Sequence, residues 1–266
     1  MKLTRHLFLA LAALSLAAGA TAAHATNALD TIKQRKTILV AVDIGAPPYG
    51  MIDDQVRQVG SDVEAAKLLA KDLGVALQIV PVTGPNRVPF LLSRKADVVM
   101  ASFSITEDRK KVIDFSEPYG VVPIVVGGPA AAKVASFADL SGKTIAVTRG
   151  TTSDQELTRG SKGVPGVGIV RYEDDATTNT AVATGQQDYI ATPPSVISAV
   201  KKANPSRDIV PKFAVKSYPY GIGLRKNEPE LKAWLDGWVK TNLKNGNLNE
   251  IYKRYFGMPL PPELLQ

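Results

Sequence analysis

The chain contains no cysteine, and its only two histidines, His6 and His24, fall within the first 25 residues. The first absence excludes disulfides, thiolate nucleophiles and thiolate metal sites. The second excludes imidazole triads and histidine-metal sites from everything that follows residue 25. No metal and no cofactor are therefore expected. Aromatic residues make up 6% of the chain, and no basic stripe with interleaved aromatics or block of like charge occurs. Nucleic acid is therefore not an expected partner, and the basic excess reads as solubilising surface charge. After residue 25 no apolar run reaches the roughly 20 residues needed to cross a bilayer.

The first 25 residues have a layout of their own. Lys2 and Arg5 precede an uncharged, Ala-rich run from Leu7 to Ala23, which ends in Ala23-His24-Ala25 ahead of Thr26. A positive start, an apolar centre and small residues before a cleavage point are the parts of a secretory signal peptide. A membrane anchor is the competing reading, but the run is short and built from Ala rather than Leu or Ile. Cleavage after Ala25 leaves 241 of 266 residues and, with Lys2 and Arg5 gone, takes the formal charge from +7 to +5. The expected location is the periplasm, and 241 residues suffice for two medium domains.

Short apolar runs then alternate with amphipathic segments. Ile38–Val42, Leu77–Val80 and Asp97–Met100 read as strands, separated by helices over Asp62–Leu73 and Val88–Ser93, the latter with Asn86 placed to cap it. The same order recurs with strands at Thr144–Val147, Gly168–Val170 and Tyr189–Ala191, and helices from Ser153 and over Ala176–Thr184. Two doubly wound parallel sheets follow from this repeated pattern. The tail, a strand at Tyr220–Leu224 and helices over Pro229–Leu243 and Leu248–Phe256, is expected to return to the first lobe. The expected layout is α/β: lobe one from 26–121 and 218–266, lobe two from 122–217, joined by two hinge crossings. Ligands of such folds bind in the cleft at the strand ends.

Two stretches carry candidate chemistry. Ala101-Ser102-Phe103-Ser104-Ile105-Thr106-Glu107-Asp108-Arg109 follows a buried strand. Ser102 and Ser104 can face one way from extended chain, and the Arg109 fork with nearby hydroxyls suits bidentate capture of a carboxylate. Spacing alone serves equally a second reading, in which Thr106 caps a helix and Arg109 forms a surface ion pair. The other stretch, Val147-Thr148-Arg149-Gly150-Thr151-Thr152-Ser153, runs from a strand through a Gly turn to a helix N-terminus. Its amides and the hydroxyls of Thr148, Thr151 and Thr152 favour an anion. Sites of this kind on opposite lobes let one carboxylate couple binding to closure. The acids Asp53-Asp54 and Asp174-Asp175 read as loop residues.

Several ordered motifs give the chain a resemblance. Gly60-Ser61-Asp62-Val63-Glu64-Ala65-Ala66, the Ala101–Arg109 stretch, Ile113-Asp114-Phe115-Ser116-Glu117-Pro118-Tyr119, Gly150-Thr151-Thr152-Ser153 and Ile251-Tyr252-Lys253-Arg254-Tyr255-Phe256-Gly257 resemble the periplasmic polar amino-acid-binding proteins of ABC importers. These are solute-binding protein family 3, with the type II, Venus-flytrap fold, and the likeness runs from about Ile38 to Gly257. It implies that Arg109, helped by Ser102, Ser104, Thr151 and Thr152, grips a ligand carboxylate, and that Asp43 and Tyr49 face the ligand side chain. Asn86-Arg87-Val88-Pro89 looks like the branch that includes acidic amino-acid binders, which makes Arg87 a second carboxylate candidate beside its reading as a solvated helix-start residue. The implied partners are a small carboxylate ligand and an inner-membrane permease, and the chain is expected to be a monomer.

The sequence also departs from that family. The acid expected five residues after Asp188, which would hold the ligand ammonium, is replaced by Pro193, and no carboxylate lies between Asp188 and Asp208. Ala46 and Gly84 stand where aromatic residues often sandwich the ligand side chain. Asp43 stands where binders of acidic ligands need a cation. The rival reading is a cyclohexadienyl dehydratase-like enzyme on the same scaffold, which needs a general acid near Pro193-Pro194-Ser195. The gap in acids there counts against it, and no catalytic residue is assigned.

Overall fold

Thr37–Val42 (β1) is an unbroken apolar run in which Ile38, Val40, Ala41 and Val42 are fully buried, the mark of a strand covered on both faces. The computed structural model describes residues 27–265, so the leader read at residues 1–25 lies outside the described residues. β1 pairs in parallel with β4 (Ala76–Pro81) and β5 (Val98–Val99). β12 (Gly223–Arg225) runs antiparallel to both β5 and β6 (Ile113–Phe115), giving the order β4-β1-β5-β12-β6. The expected all-parallel sheet is thus mixed, because the strand returning from the C-terminal half enters in the opposite sense.

Helix α2 (Ser61–Leu73) lays Val63, Ala66, Leu69, Ala70 and Leu73 on this sheet and stops at Gly74, whose φ of 74° closes it. Three other elements enclose the same core: α1 (Ala28–Arg35), α8 (Pro229–Lys244) and α9 (Asn247–Phe256). The hairpin of β2 (Met51–Ile52) and β3 (Gln58–Val59) was not legible in the sequence.

The second sheet has the order β11-β7-β10-β8-β9. Here β8 (Thr144–Thr148), β9 (Gly168–Tyr172) and β10 (Tyr189–Thr192) are parallel, while β7 (Gly120–Pro129) is antiparallel to β10 and to β11 (Ile209–Tyr220). This sheet is also mixed. Its helices are α5 (Thr152–Gly160), α6 (Asp175–Ala183) and α7 (Pro194–Ala203). Helix α7 starts with Pro194 in its first turn, where the missing N–H costs nothing.

Strands β7 and β11 form the ribbon between the sheets, paired from Ile209 with Pro129 to Tyr220 with Gly120 with two register shifts on the way. Its Tyr220 end is tied to the first sheet: the Ile105 N–H donates to Pro219 O at 2.8 Å, and the Tyr119 N–H donates to Tyr220 O at 3.0 Å. Gly120 has no alternative here, since a Cβ would lie 2.1 Å from the Tyr220 ring.

Candidate functional site

Polar side chains from turns of both sheets line one cavity. From the first sheet come Asp43 at the end of β1, Tyr49, Arg87, Ser102 and Ser104. From the second come Thr148, Thr151, Thr152 and Ser153 around the N-terminus of α5, together with Asp175, Thr192 and Pro193. The lobes touch directly. Ser104 Oγ and Thr152 Oγ1 are 3.1 Å apart, and Asn179 Nδ2 donates to Gly45 O at 3.4 Å.

Arg109 does not line this cavity but stands behind it. It is 7% exposed, and its guanidinium lies over Phe103, 4.6 Å from the ring centroid. Its Nη1 donates to Ser104 O at 2.8 Å and its Nη2 to Gly150 O across the cleft at 3.4 Å. Thr106 caps α4 (Glu107–Lys110) by accepting the Arg109 N–H, so the cap expected from the sequence coexists with an inward-turned guanidinium. The surface ion pair is excluded by that burial.

Arg87 begins α3 (Arg87–Leu92) and is 6% exposed rather than solvated. It donates to Gly84 O at 3.1 Å and to Ala101 O at 3.1 Å, and lies 5.2 Å from the Phe103 centroid, near the same ring as Arg109. Asn86, expected to cap this helix, instead donates from its side chain to Thr83 Oγ1 at 2.9 Å. Neither Arg87 nor Arg109 has a carboxylate within ion-pair distance among the described residues. Burial depresses the proton affinity of both. Arg109 is pushed well down, first by burial and then by the positive Arg87. A guanidinium still keeps its proton in a protein, so that cost is relieved by an anion rather than by deprotonation.

Asp43 is 6% exposed and its carboxyl is raised well above the ordinary range. Burial is the main cause and the neighbouring Asp175 the second, while Arg87 and the Gly45 N–H, 3.0 Å from Asp43 Oδ1, pull the other way. Asp175 was read as a loop acid. It occupies the first turn of α6, accepts the Thr148 hydroxyl at 2.7 Å and faces the cavity, while Asp174 caps the helix. Its position just beyond a parallel strand is the signal that could have marked it, since ligand residues of such sheets gather there. Ser153 and Thr192, which also line the cavity, were likewise not singled out.

Behind the cavity, Asp62 holds two site residues in place. Its Oδ2 accepts the Ser102 N–H at 2.7 Å, and its own N–H donates to Tyr49 O at 2.9 Å. Ser102 has a φ of 42°, a left-handed conformation that costs a residue with a side chain about 1–2 kcal/mol. The bond from Asp62 offsets part of that strain. Burial raises the Asp62 carboxyl to about 7.

Residues 38–258 match the model of the bacterial extracellular solute-binding proteins, family 3. The chain belongs to that family. Among its relatives, the L-cystine-binding protein TcyJ of Escherichia coli K12 is 31% identical over 234 residues, covering 86% of each chain. The glutamine-binding protein of Geobacillus stearothermophilus is 31% identical over 206 residues, covering 76% of this chain and 77% of that protein. A mutant of the arginine-binding protein from T. maritima superposes with a TM-score of 0.79 at 32% identity, covering 87% of this chain and all of that one. An ancestral amino acid-binding protein, a precursor of cyclohexadienyl dehydratase, superposes at 0.76 with 34% identity, covering 86% of this chain and 99% of that one. For a family 3 protein, the two mixed sheets, the two-strand ribbon and the polar interlobe cavity are the type II architecture.

Proposed function

We propose that this protein captures an amino acid, or a closely related small carboxylate, in the interlobe cleft and delivers it to the permease of an ABC importer. The observation that carries the reading is Arg109. Its guanidinium is buried behind the cleft among two carbonyl oxygens and an aromatic ring, with no carboxylate in ion-pair range among the described residues, whereas the buried Arg87 faces Asp43, Asp175 and Asp62. A buried charge without a counter-charge is costly, and a ligand carboxylate supplies the missing partner. Ser102, Ser104, Thr148, Thr151 and Thr152 add hydroxyl donors from both lobes, so the bound carboxylate favours the closed form over the open one. Asp43 and Tyr49 take the rest of the ligand.

In this reading residues 1–25 direct export to the periplasm and are removed. Segments 26–121 and 218–266 form one lobe, 122–217 the other, and the protein works as a monomer with no catalytic residue. The family membership supports extracellular solute binding. Asp43 is a carboxyl kept protonated to higher pH inside the cleft, as a dehydratase acid would be, so the enzyme reading has a direct assay. The test is a thermal-shift panel of the twenty amino acids on residues 26–266, with prephenate followed for turnover. Stabilisation by at least one amino acid and no loss of prephenate is expected. No response to any amino acid, or prephenate turnover, would sink the reading.

A further inference from the structure

Glu156 lies on α5 one turn after Thr152, and it is 6% exposed. A carboxylate taken out of water needs partners, and it has three. The Tyr218 hydroxyl donates to its Oε1, Arg159 Nη1 donates to both of its oxygens at 2.9 and 3.2 Å, and Lys216 Nζ stands 3.8 Å from Oε1. Arg159 shares the helix with Glu156, but Tyr218 and Lys216 belong to the ribbon strand β11. Lys216 Nζ also lies 4.8 Å from the centroid of the Tyr218 ring, so the cation and the phenol meet the carboxylate as one unit.

Tyr218 occupies the part of the ribbon that neither sheet holds. The second sheet keeps the ribbon as far as Val125, which pairs with both Thr192 and Ala214. The first sheet takes it up again at Pro219, whose carbonyl accepts the Ile105 N–H, and at Tyr220, which forms an antiparallel bridge with Ser104. Over 215–218, β11 has only β7 beside it, and one of its register shifts falls between Ala214 and Lys216. A rotation of one sheet against the other is absorbed most easily in such a span. The Glu156 contact crosses it, tying a helix packed on the second sheet to the residue next to the first-sheet anchor. The same helix sets Thr152 against Ser104, so one turn of α5 joins the ribbon to the cavity.

We infer that Glu156 and Tyr218 form a clasp that biases the two sheets toward the closed arrangement before any ligand arrives. They are positioning residues, since neither lines the cavity. Bending the ribbon to open the cleft must break their bond or drag α5 out of place. This rests on the hinge closure of the proposed function and adds what sets its balance. The apparent affinity of a site that needs the closed form scales with the fraction closed. The clasp therefore strengthens binding of every ligand by one factor and leaves selectivity to the residues that line the cavity.

The chain has no cysteine, so two introduced ones can be spin-labelled uniquely. Lys71→Cys on α2 and Lys162→Cys just after α5 are exposed positions outside the ribbon and the cavity. Double electron–electron resonance on ligand-free protein, residues 26–266, then reads the distance between the lobes. It is measured in the labelled parent, Tyr218→Phe, Glu156→Gln and the double variant. Each substitution is expected to move the closed-to-open ratio roughly tenfold toward open, the worth of one hydrogen bond to a charged group. The double variant should go no further than the larger single one, since both changes remove the same bond. Distance distributions unchanged by either substitution, or shifts that add in the double variant, would overturn the inference. A lowered urea midpoint with unchanged distances would overturn it too, by showing a bond that serves stability alone. No ligand enters this measurement, so it stands or falls separately from the amino-acid panel that decides the proposed function.

Discussion

Ser104 and Thr152, one from each lobe, meet with their hydroxyl oxygens 3.1 Å apart. The contact is available only when the cleft is closed, and it lies beside the place where Arg109 reaches Gly150. Closure of this kind depends on small residues at the rim. A Cβ on Gly84 would lie 3.0 Å from the Thr151 methyl and 3.1 Å from the Arg149 carbonyl oxygen. Gly84→Val should hold the lobes apart, weakening ligand binding tenfold or more while leaving the unfolding temperature of the empty protein within a few degrees. Small-angle scattering should show the ligand-induced compaction of the wild type and none in the variant.

Arg109→Ala should reduce affinity for the amino acid found in the panel by at least about 2 kcal/mol, about thirtyfold, because a charge-assisted fork is lost. Arg109→Lys should recover little of it, since an ammonium cannot serve Ser104 O, Gly150 O and a carboxylate with one planar group. Wild-type affinity in either variant, measured by calorimetry, would remove Arg109 from the site.

Asp62 predicts a pH dependence of stability. Its carboxyl stands at about 7 when folded against an ordinary 3.8. Between those values the folded state holds the proton more firmly than the unfolded chain. Its contribution is therefore fully present below about 4 and is lost as pH rises through about 7, amounting to about 4 kcal/mol at most. Asp62→Asn keeps an acceptor for the Ser102 N–H and removes the titration. Urea denaturation should show the variant gaining on the wild type between pH 5 and pH 7.5. A constant difference across that range would mean that Asp62 titrates normally.

Pro193 stands at the N-cap of α7 without a side-chain cap, at φ −63° and ψ 146°, dihedrals that suit an N-cap residue. Pro193→Asp should therefore stabilise the protein by about 1 kcal/mol through a new cap. A lowered urea midpoint would show instead that a third carboxylate in this cavity outweighs the cap.

Much of the lobe architecture was legible in the sequence because it rests on local patterns. The 61–73 helix announces itself by apolar spacing and Gly74, and β1 by its unbroken apolar run. The ribbon strand β11 did not. Pro211 and Pro219 interrupt its pattern, and its register shifts between Pro211 and Phe213 and again between Ala214 and Lys216. Only its partner β7 makes it a strand. Strand sense was also hidden, since periodicity is the same in both directions.

Sequence motifs singled out Arg109, Ser102, Ser104 and the Thr148–Thr152 turn, of which all but Arg109 contribute to the cavity lining, since residues close along the chain share one turn of backbone. They could not show that Arg87 and Arg109 flank the same ring, or that Asp175 meets Asp43 across 132 positions of chain. A carboxyl at a helix start looks like a solvated helix-end residue until a second lobe covers it. Burial, the unmatched Arg109 cation and the nearness of Asp43 to Asp175 come from packing the two sheets' turns together, which brings distant residues into a medium of low dielectric where charge must be matched. The sequence by itself determined most of the elements and the resemblance to the family; the tertiary structure decided strand sense, the ribbon and which charges face one another.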